Sequence, residues 1–119
     1  MHKEVISMND YYCWLDGRIE ACRAEIAALE AAGRRDDADF AKVRANIYDV
    51  CRTVSRVQMN RPGGGSAAVG ALFARFGNEW GAALEKAKDH GDVKAVAVEE
   101  TKLAALSEVR ARFEEAAKS

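Results

Sequence analysis

The spacing of apolar residues in the first part of the chain is the feature that most constrains its fold. From residue 8 to residue 29, apolar side chains recur at alternating steps of four and three residues. This repeat puts the side chains on one face of an α-helix, whereas a half-buried β-strand alternates at every second residue. The apolar positions are Met8, Tyr12, Leu15, Ile19, Cys22, Ile26 and Leu29. They predict a first helix over residues 8–32, followed by a turn at Gly33.

A second segment repeats the same alternation, and its start is acidic, as the positive end of a helix dipole favours. Its apolar positions are Phe40, Val43, Ile47, Val50, Val54 and Val57. Each of them pairs with a residue of the first segment at an equal distance from a midpoint between Arg34 and Arg35, so that Ile19 and Val50 share a layer. The pairing and the glycine place the turn at the same point. We therefore expect an antiparallel hairpin whose second helix covers residues 36–60.

The run Arg61 to Ser66, rich in glycine, ends this helix, and Ser66 is the expected N-cap of a third helix over residues 66–89. Gly91 marks the next turn, and Asp92 is the expected N-cap of a fourth helix over residues 92–117. The apolar positions that define these two helices are Val69, Phe73, Phe76, Trp80, Ala83 and Ala87, then Val96, Leu103, Leu106, Phe113 and Ala117.

A chain of 119 residues has the length of one domain, and its 49% hydrophobic and 31% charged residues are typical of a globular one. The fold class that we predict is all-α: an antiparallel four-helix bundle made of two helical hairpins, with residues 1–119 as a single helical domain. The three cysteines have no paired spacing, and no apolar run has the length of a signal or a membrane span. We expect a cytoplasmic protein without a membrane partner.

Catalytic and cofactor motifs are missing from the sequence. The only histidines are His2 and His90, which leaves no Glu-x-x-His pair for a di-metal bundle, and there is no phosphate-binding loop or nucleophile elbow. We infer no catalytic residue, no cofactor and no metal. Lys and Arg together number 18 against 19 Asp and Glu, so we do not expect nucleic acid to be the main partner.

The surface that most suggests a function lies on the first helix, opposite its apolar seam. Small residues at helical spacing allow two helices to approach closely. These positions are Cys13, Gly17, Ala21, Ala24, Ala28 and Ala31. We predict a protein that acts by protein–protein interaction, with a second copy of the chain as the simplest partner and a homodimer as the product. The alternative is that alanine, the best helix former, simply occupies an exposed face.

Two other sites compete with this interpretation. The glycines Gly63, Gly64 and Gly65 precede a helix, where backbone N–H groups can hold a phosphate, and Arg52, Arg56 and Arg61 lie nearby in sequence. They predict an anion- or nucleic-acid-binding module, with Arg52 and Arg56 on the outer face of the second helix near Tyr48. The alternative is a flexible connection flanked by solvated arginines.

The last candidate is a polar pocket. Glu99 and Arg110 fall within the apolar stripe of the fourth helix, and a charge facing a core needs a partner. The hairpin register sets Glu99 close to Trp80, whose indole N–H can donate to a carboxylate. They predict a polar pocket between the third and fourth helices, suited to an enzyme or a ligand carrier. A small rotation that carries both charges to the rim is the alternative.

Overall fold

The computed structural model describes residues 6–118, and His2 lies outside them. The four helices are α1 (Met8–Ala31), α2 (Arg35–Asn60), α3 (Ser66–Asp89) and α4 (Val93–Ala117). α1 packs on α2 and α3 packs on α4 as two antiparallel hairpins. The predicted all-α four-helix bundle is confirmed, and each helix begins and ends within one residue of its predicted bounds.

Local sequence explains where three of the helices begin or end. Ser7 and Asp10 form a capping box at the start of α1, in which the Ser7 hydroxyl accepts from the Asp10 N–H at 3.1 Å. Gly33, with φ of +74°, reverses the chain after α1, and the Arg34 N–H donates back to the Leu29 carbonyl at 2.9 Å. Asp92 caps α4 as predicted, since its carboxylate accepts from the Ala95 N–H at 3.0 Å.

The predicted N-cap of α3 is wrong by one residue. Ser66 is the first residue of α3, and the N-cap is Gly65, with φ of +122°. That conformation is open to glycine and strained for serine. The loop glycines also finish α2: the Gly65 N–H donates to the Gln58 carbonyl at 2.9 Å, and the Gly64 N–H donates to the Arg61 carbonyl at 2.9 Å.

In cross-section, the bundle is a rhombus rather than a square. α2 and α4 contact each other and both remaining helices, whereas α1 and α3 lie on opposite sides and do not touch within the described chain. Both α2 and α4 carry small buried residues, which suit helices that pack against all three neighbours. The buried small residues of the two helices are Ala38, Ala41, Cys51, Ser55, Ala105 and Ala116.

Side-chain contacts confirm the predicted hairpin registers. Arg44 of α2 pairs with Glu25 of α1 at 2.8 Å, and these two residues are equidistant from the predicted midpoint. In the second hairpin, the Lys102 ammonium lies 5.9 Å from the centre of the Trp80 ring. Both pairs belong to the layers that the spacing of apolar residues predicts.

The closeness of α2 and α4 shifts which of their residues are buried. Tyr48, predicted on the outer face of α2, is 2% exposed because α4 covers that face. Val57, predicted in the seam, is 54% exposed. In α4, the predicted Leu106 and Phe113 are buried, together with Ala105, Val109 and Ala116, which were not predicted. The other predicted positions are half-buried at Val96 and Leu103 and exposed at Ala117. The predicted helices are right, and the predicted inner faces of α2 and α4 are wrong by part of a turn.

A buried hydrogen-bond chain links α1 to α2. The Ser55 hydroxyl donates to the Cys51 carbonyl at 2.7 Å, and it accepts from the Tyr11 hydroxyl at 2.8 Å. Tyr11, Cys51 and Ser55 are each 0% exposed. Burial raises the pKa of the Tyr11 hydroxyl and raises the pKa of the Cys51 thiol to about 12. The ring of Tyr11 thus packs in the apolar core while its hydroxyl is hydrogen-bonded to Ser55.

The core is concentrated in one half of the bundle. Most of the large buried side chains lie in the half that contains the connection between α2 and α3, which we call the closed half. In the other half, which contains the two hairpin turns and which we call the open half, Cys22 and Ile47 are buried just past the middle of the bundle, and the remaining buried residues are alanines. Its large apolar side chains are half-buried: Ile26, Leu29, Phe40, Val43, Phe76, Trp80, Leu84 and Leu103.

Candidate interaction surfaces

The six small residues of α1 share one face, which we call the α1 outer face. All six, namely Cys13, Gly17, Ala21, Ala24, Ala28 and Ala31, are exposed. A Cβ atom added at Gly17 would meet no atom within 4 Å. Ala27, beside the six, is exposed as well. The structure thus leaves a smooth strip of backbone and methyl groups along most of the length of α1.

Fixed side chains border the α1 outer face on both edges. On the side of α4, the Trp14 ring packs edge-on against Tyr48, with ring centres 6.1 Å apart, and the Arg112 guanidinium lies 5.2 Å from the centre of the Trp14 ring. On the side of α2, Asp16 forms an ion pair with Arg52. The borders are therefore held in place before any partner arrives.

The arginines of the predicted anion site are mostly engaged with groups of the chain itself. Arg52 donates to Asp16 and also to Asp49 at 3.0 Å. The hydrogen bond to Asp16, with the charges of both acids, raises the pKa of Arg52. Arg56 lies over the Tyr12 ring, 4.8 Å from its centre. Arg61 is exposed after the end of α2.

The glycine loop of that site satisfies the end of α2. Two of its N–H groups, at Gly64 and Gly65, already donate to carbonyls of the chain, as described above. A Cβ at Gly64 would lie 2.0 Å from the Gln58 carbonyl oxygen, so this glycine is required by close backbone packing. Gly63, with φ of +76°, makes the turn. Close packing and the turn therefore explain the glycines of this loop without a ligand, and two of its N–H groups are not available to a phosphate.

Glu99 is largely buried, with 14% of its side chain exposed. Its Oε1 atom accepts from the Lys102 ammonium at 3.0 Å, while Oε2 is buried without a hydrogen-bond partner among the described residues. Lys102 in turn lies over Trp80, whose ring stacks on Phe76 with ring centres 5.3 Å apart. Glu99 and Trp80 are therefore linked through Lys102. The Glu99–Lys102 ion pair forms a charged layer in the open half, and neither Glu99 nor Trp80 lines the cavities of about 400 and 410 Å³ found elsewhere on the bundle.

Sequence reasoning missed a polar cluster where α1, α2 and α4 meet. The Tyr48 hydroxyl donates to Glu108 at 2.8 Å and accepts from Arg18 at 3.1 Å, and Arg18 lies 3.4 Å from Glu108. Burial raises the pKa of Tyr48. The residues are far apart in sequence, and no spacing within one helix predicts their meeting. The cluster joins α1 to α4 just inside Trp14.

Comparison with protein families, with curated proteins and with solved structures gives no match. Within residues 6–118, no group of three or more His, Cys, Asp or Glu side chains is placed to hold a metal ion. No helix in this range has both the length and the apolar character needed to cross a bilayer. Function has to be argued from the surfaces themselves.

Proposed function

We propose that this protein acts by protein–protein interaction and that it self-associates through the α1 outer face. The observation that carries the proposal is the exposure of this face along its whole length. An exposed helix face normally carries long charged side chains, because they interact well with water. The six small residues of the α1 outer face carry no charge, and the exposed ion pair of Glu20 and Arg23 lies beside them, toward the Asp16 border.

Close helix packing is what such a face allows. Glycine and alanine let two helix backbones approach to the short end of the usual interaxial distance, about 8 Å, and the contact then comes from backbone and methyl groups. α1 has 24 residues and is about 36 Å long, so two copies can meet over several turns. The borders, Trp14 on one edge and the Asp16–Arg52 pair on the other, are placed to exclude water from the rim.

A second copy is the partner that fits this chemistry best. A two-fold axis brings the same patch of both subunits together, so a patch has to be complementary to itself. The strip of six small residues meets that condition, with the Glu20–Arg23 ion pair at its edge. A different protein would be selected by charge or by a protruding side chain, and the six small residues offer neither. The contact area is modest, so we expect a dimer whose population depends on concentration.

The test is the mass in solution by light scattering, from about 10 µM to about 1 mM, a range that spans weak dimer dissociation. Ala24→Arg places a long charged side chain near the centre of the α1 outer face. Ala71→Arg is the matched control, because Ala71 is also an exposed helical alanine but lies on α3. Circular dichroism checks that both variants remain folded.

We expect the wild type and Ala71→Arg to shift toward dimer as concentration rises, and Ala24→Arg to remain a folded monomer. A wild type that is monomeric at every concentration overturns the proposal. A dimer that Ala24→Arg leaves intact also overturns it, because the dimer then uses another surface.

A further inference from the structure

A groove between α3 and α4, on a different side of the bundle from α1, suggests a second binding site. Gly70, Gly77 and Gly81 lie inside α3, where glycine disfavours a helix by about 1 kcal/mol relative to alanine. A Cβ at Gly70 or Gly81 would meet nothing within 4 Å, and one at Gly77 would make ordinary contacts of 3.7 Å with Arg110 and Leu106. Packing within the chain therefore requires glycine at none of the three positions.

The space that two of these glycines leave is a pair of cavities that share a wall. The first, of about 400 Å³, is lined by Gly77, Leu103 and Leu106. The second, of about 390 Å³, is lined by Gly70 and by the rings of Phe73 and Phe113. These volumes lie within the range of small-molecule sites, which combine an apolar lining with a few polar groups that fix orientation. Arg110 and Glu114 line both cavities.

Arg110 is the half-buried cation of this groove, whereas Ser66 and Lys118, which also line the second cavity, are exposed. Arginines with a carboxylate partner are Arg18, Arg23, Arg34, Arg44, Arg52 and Arg75. Arg56 and Arg112 lie over aromatic rings, and Arg35 and Arg61 are exposed. Arg110 is half-buried, and no carboxylate in residues 6–118 lies within ion-pair distance of it. Even Glu114, one turn away, makes no ion pair with it.

A half-buried guanidinium in an apolar groove is matched by a planar anion that can accept two of its N–H groups, and a carboxylate has that geometry. Glu114 on the same walls disfavours a ligand with more than one negative charge. The aromatic lining beside Gly70 favours an apolar body. We propose that the groove binds an organic monocarboxylate, with its carboxylate on Arg110 and its apolar body beside Gly70, against the wall that the packed rings of Phe73 and Phe113 form.

The test is a titration of the whole ¹⁵N-labelled protein with sodium octanoate, followed by amide chemical shifts. 1-Octanol, which has the same chain without the charge, is the matched ligand. We expect saturable shifts at Gly70 and Gly77 with octanoate, and at least tenfold weaker binding of octanol. Arg110→Gln should weaken octanoate binding at least tenfold. Arg75→Gln should not, because Arg75 is an exposed α3 arginine that is paired with Glu79.

Gly70→Leu provides a second variant, since leucine is compatible with the helix and fills the second cavity. It should remain folded and lose octanoate binding. Equal affinity for octanoate and octanol overturns the proposal, as does unchanged octanoate binding in Arg110→Gln. Shifts confined to residues outside the groove, or no saturable shift at all, would overturn it too. None of these outcomes depends on whether α1 self-associates.

Discussion

Replacing Ser55 by alanine tests the buried hydrogen-bond chain between α1 and α2. The hydroxyl of Ser55 is the acceptor for the Tyr11 hydroxyl at 2.8 Å, and both side chains are 0% exposed. In Ser55→Ala, the Tyr11 hydroxyl keeps its buried position and loses its partner. A buried polar group without a partner costs about 1–3 kcal/mol. Ser55 also donates to the Cys51 carbonyl, but that carbonyl is a helical one and has other bonding capacity.

We therefore expect Ser55→Ala to lower the free energy of unfolding by about 2 kcal/mol, measured by urea denaturation and read as a midpoint shift of roughly 1 M. Ser107→Ala is the matched control. Ser107 is an exposed serine inside α4, and alanine there should be neutral or slightly stabilising.

Tyr11→Phe completes a double-mutant cycle. This variant removes the hydroxyl that Ser55→Ala leaves without a partner, so Ser55→Ala should cost at least about 1 kcal/mol less in the Tyr11→Phe background. An equal cost in both backgrounds would refute the reasoning. A cost for Ser55→Ala no larger than that of Ser107→Ala would refute it as well.

Four further predictions concern stability and reactivity. Burial raises the pKa of Cys51 from 9.0 to about 12, so the folded state holds the thiol proton more tightly than the unfolded state. The free energy of unfolding should therefore be unaffected below pH 9 and fall as pH rises from 9 toward 12. Urea denaturation at pH 8 and pH 10.5 measures the loss, and equal stability at both pH values would contradict the prediction. Native protein should expose one reactive thiol, Cys13, to a disulfide reagent and protect Cys51 until unfolding. Gly17→Ala should raise the free energy of unfolding by about 1 kcal/mol in urea denaturation, because no atom opposes the new methyl group, and an unchanged or lower value would contradict this. Tyr48→Phe should cost about 1 kcal/mol in thermal melts, because its hydroxyl bridges two charged groups, and an unchanged Tm would show that the bridge is not stabilising.

The helices and their pairing into hairpins can be predicted from the sequence because they depend on local rules. Apolar spacing sets the helical faces, and Gly33 and Gly91 set the turns, each with positive φ. Because the apolar seams of α1 and α2 have the same spacing and are joined by a short turn, they can pair in only one antiparallel register. The ion pair between Glu25 and Arg44 follows from that register, although no pattern identifies it in advance.

Contacts between the hairpins could not be predicted in the same way. Spacing within a helix defines one seam, whereas α2 of this bundle contacts all three other helices and has to bury a broader face. Tyr48 was predicted outside for this reason and lies inside. The cluster of Tyr48, Arg18 and Glu108 and the groove beside Arg110 both arise between helices that are distant in sequence. Their position depends on how the two hairpins dock.

For the candidate sites too, features within one helix could be predicted and contacts between helices could not. The exposure of the α1 outer face follows from its position opposite the seam of α1. The environment of Arg52 does not follow from α2, because its partner Asp16 belongs to α1. The glycines after α2 resemble a phosphate-binding loop in composition, and only the hydrogen bond from Gly65 to Gln58 reveals that they cap the helix.

The most direct test of self-association through α1 is an isotope-filtered NMR experiment on a mixture of ¹³C-labelled and unlabelled protein at high concentration. It detects methyl groups of one copy that lie close to protons of another. The account predicts intermolecular cross-peaks from the methyl groups of Ala21, Ala24 and Ala28, and none from Ala71 of α3. Cross-peaks confined to other helices, or their absence at concentrations where light scattering gives a dimer, would contradict it.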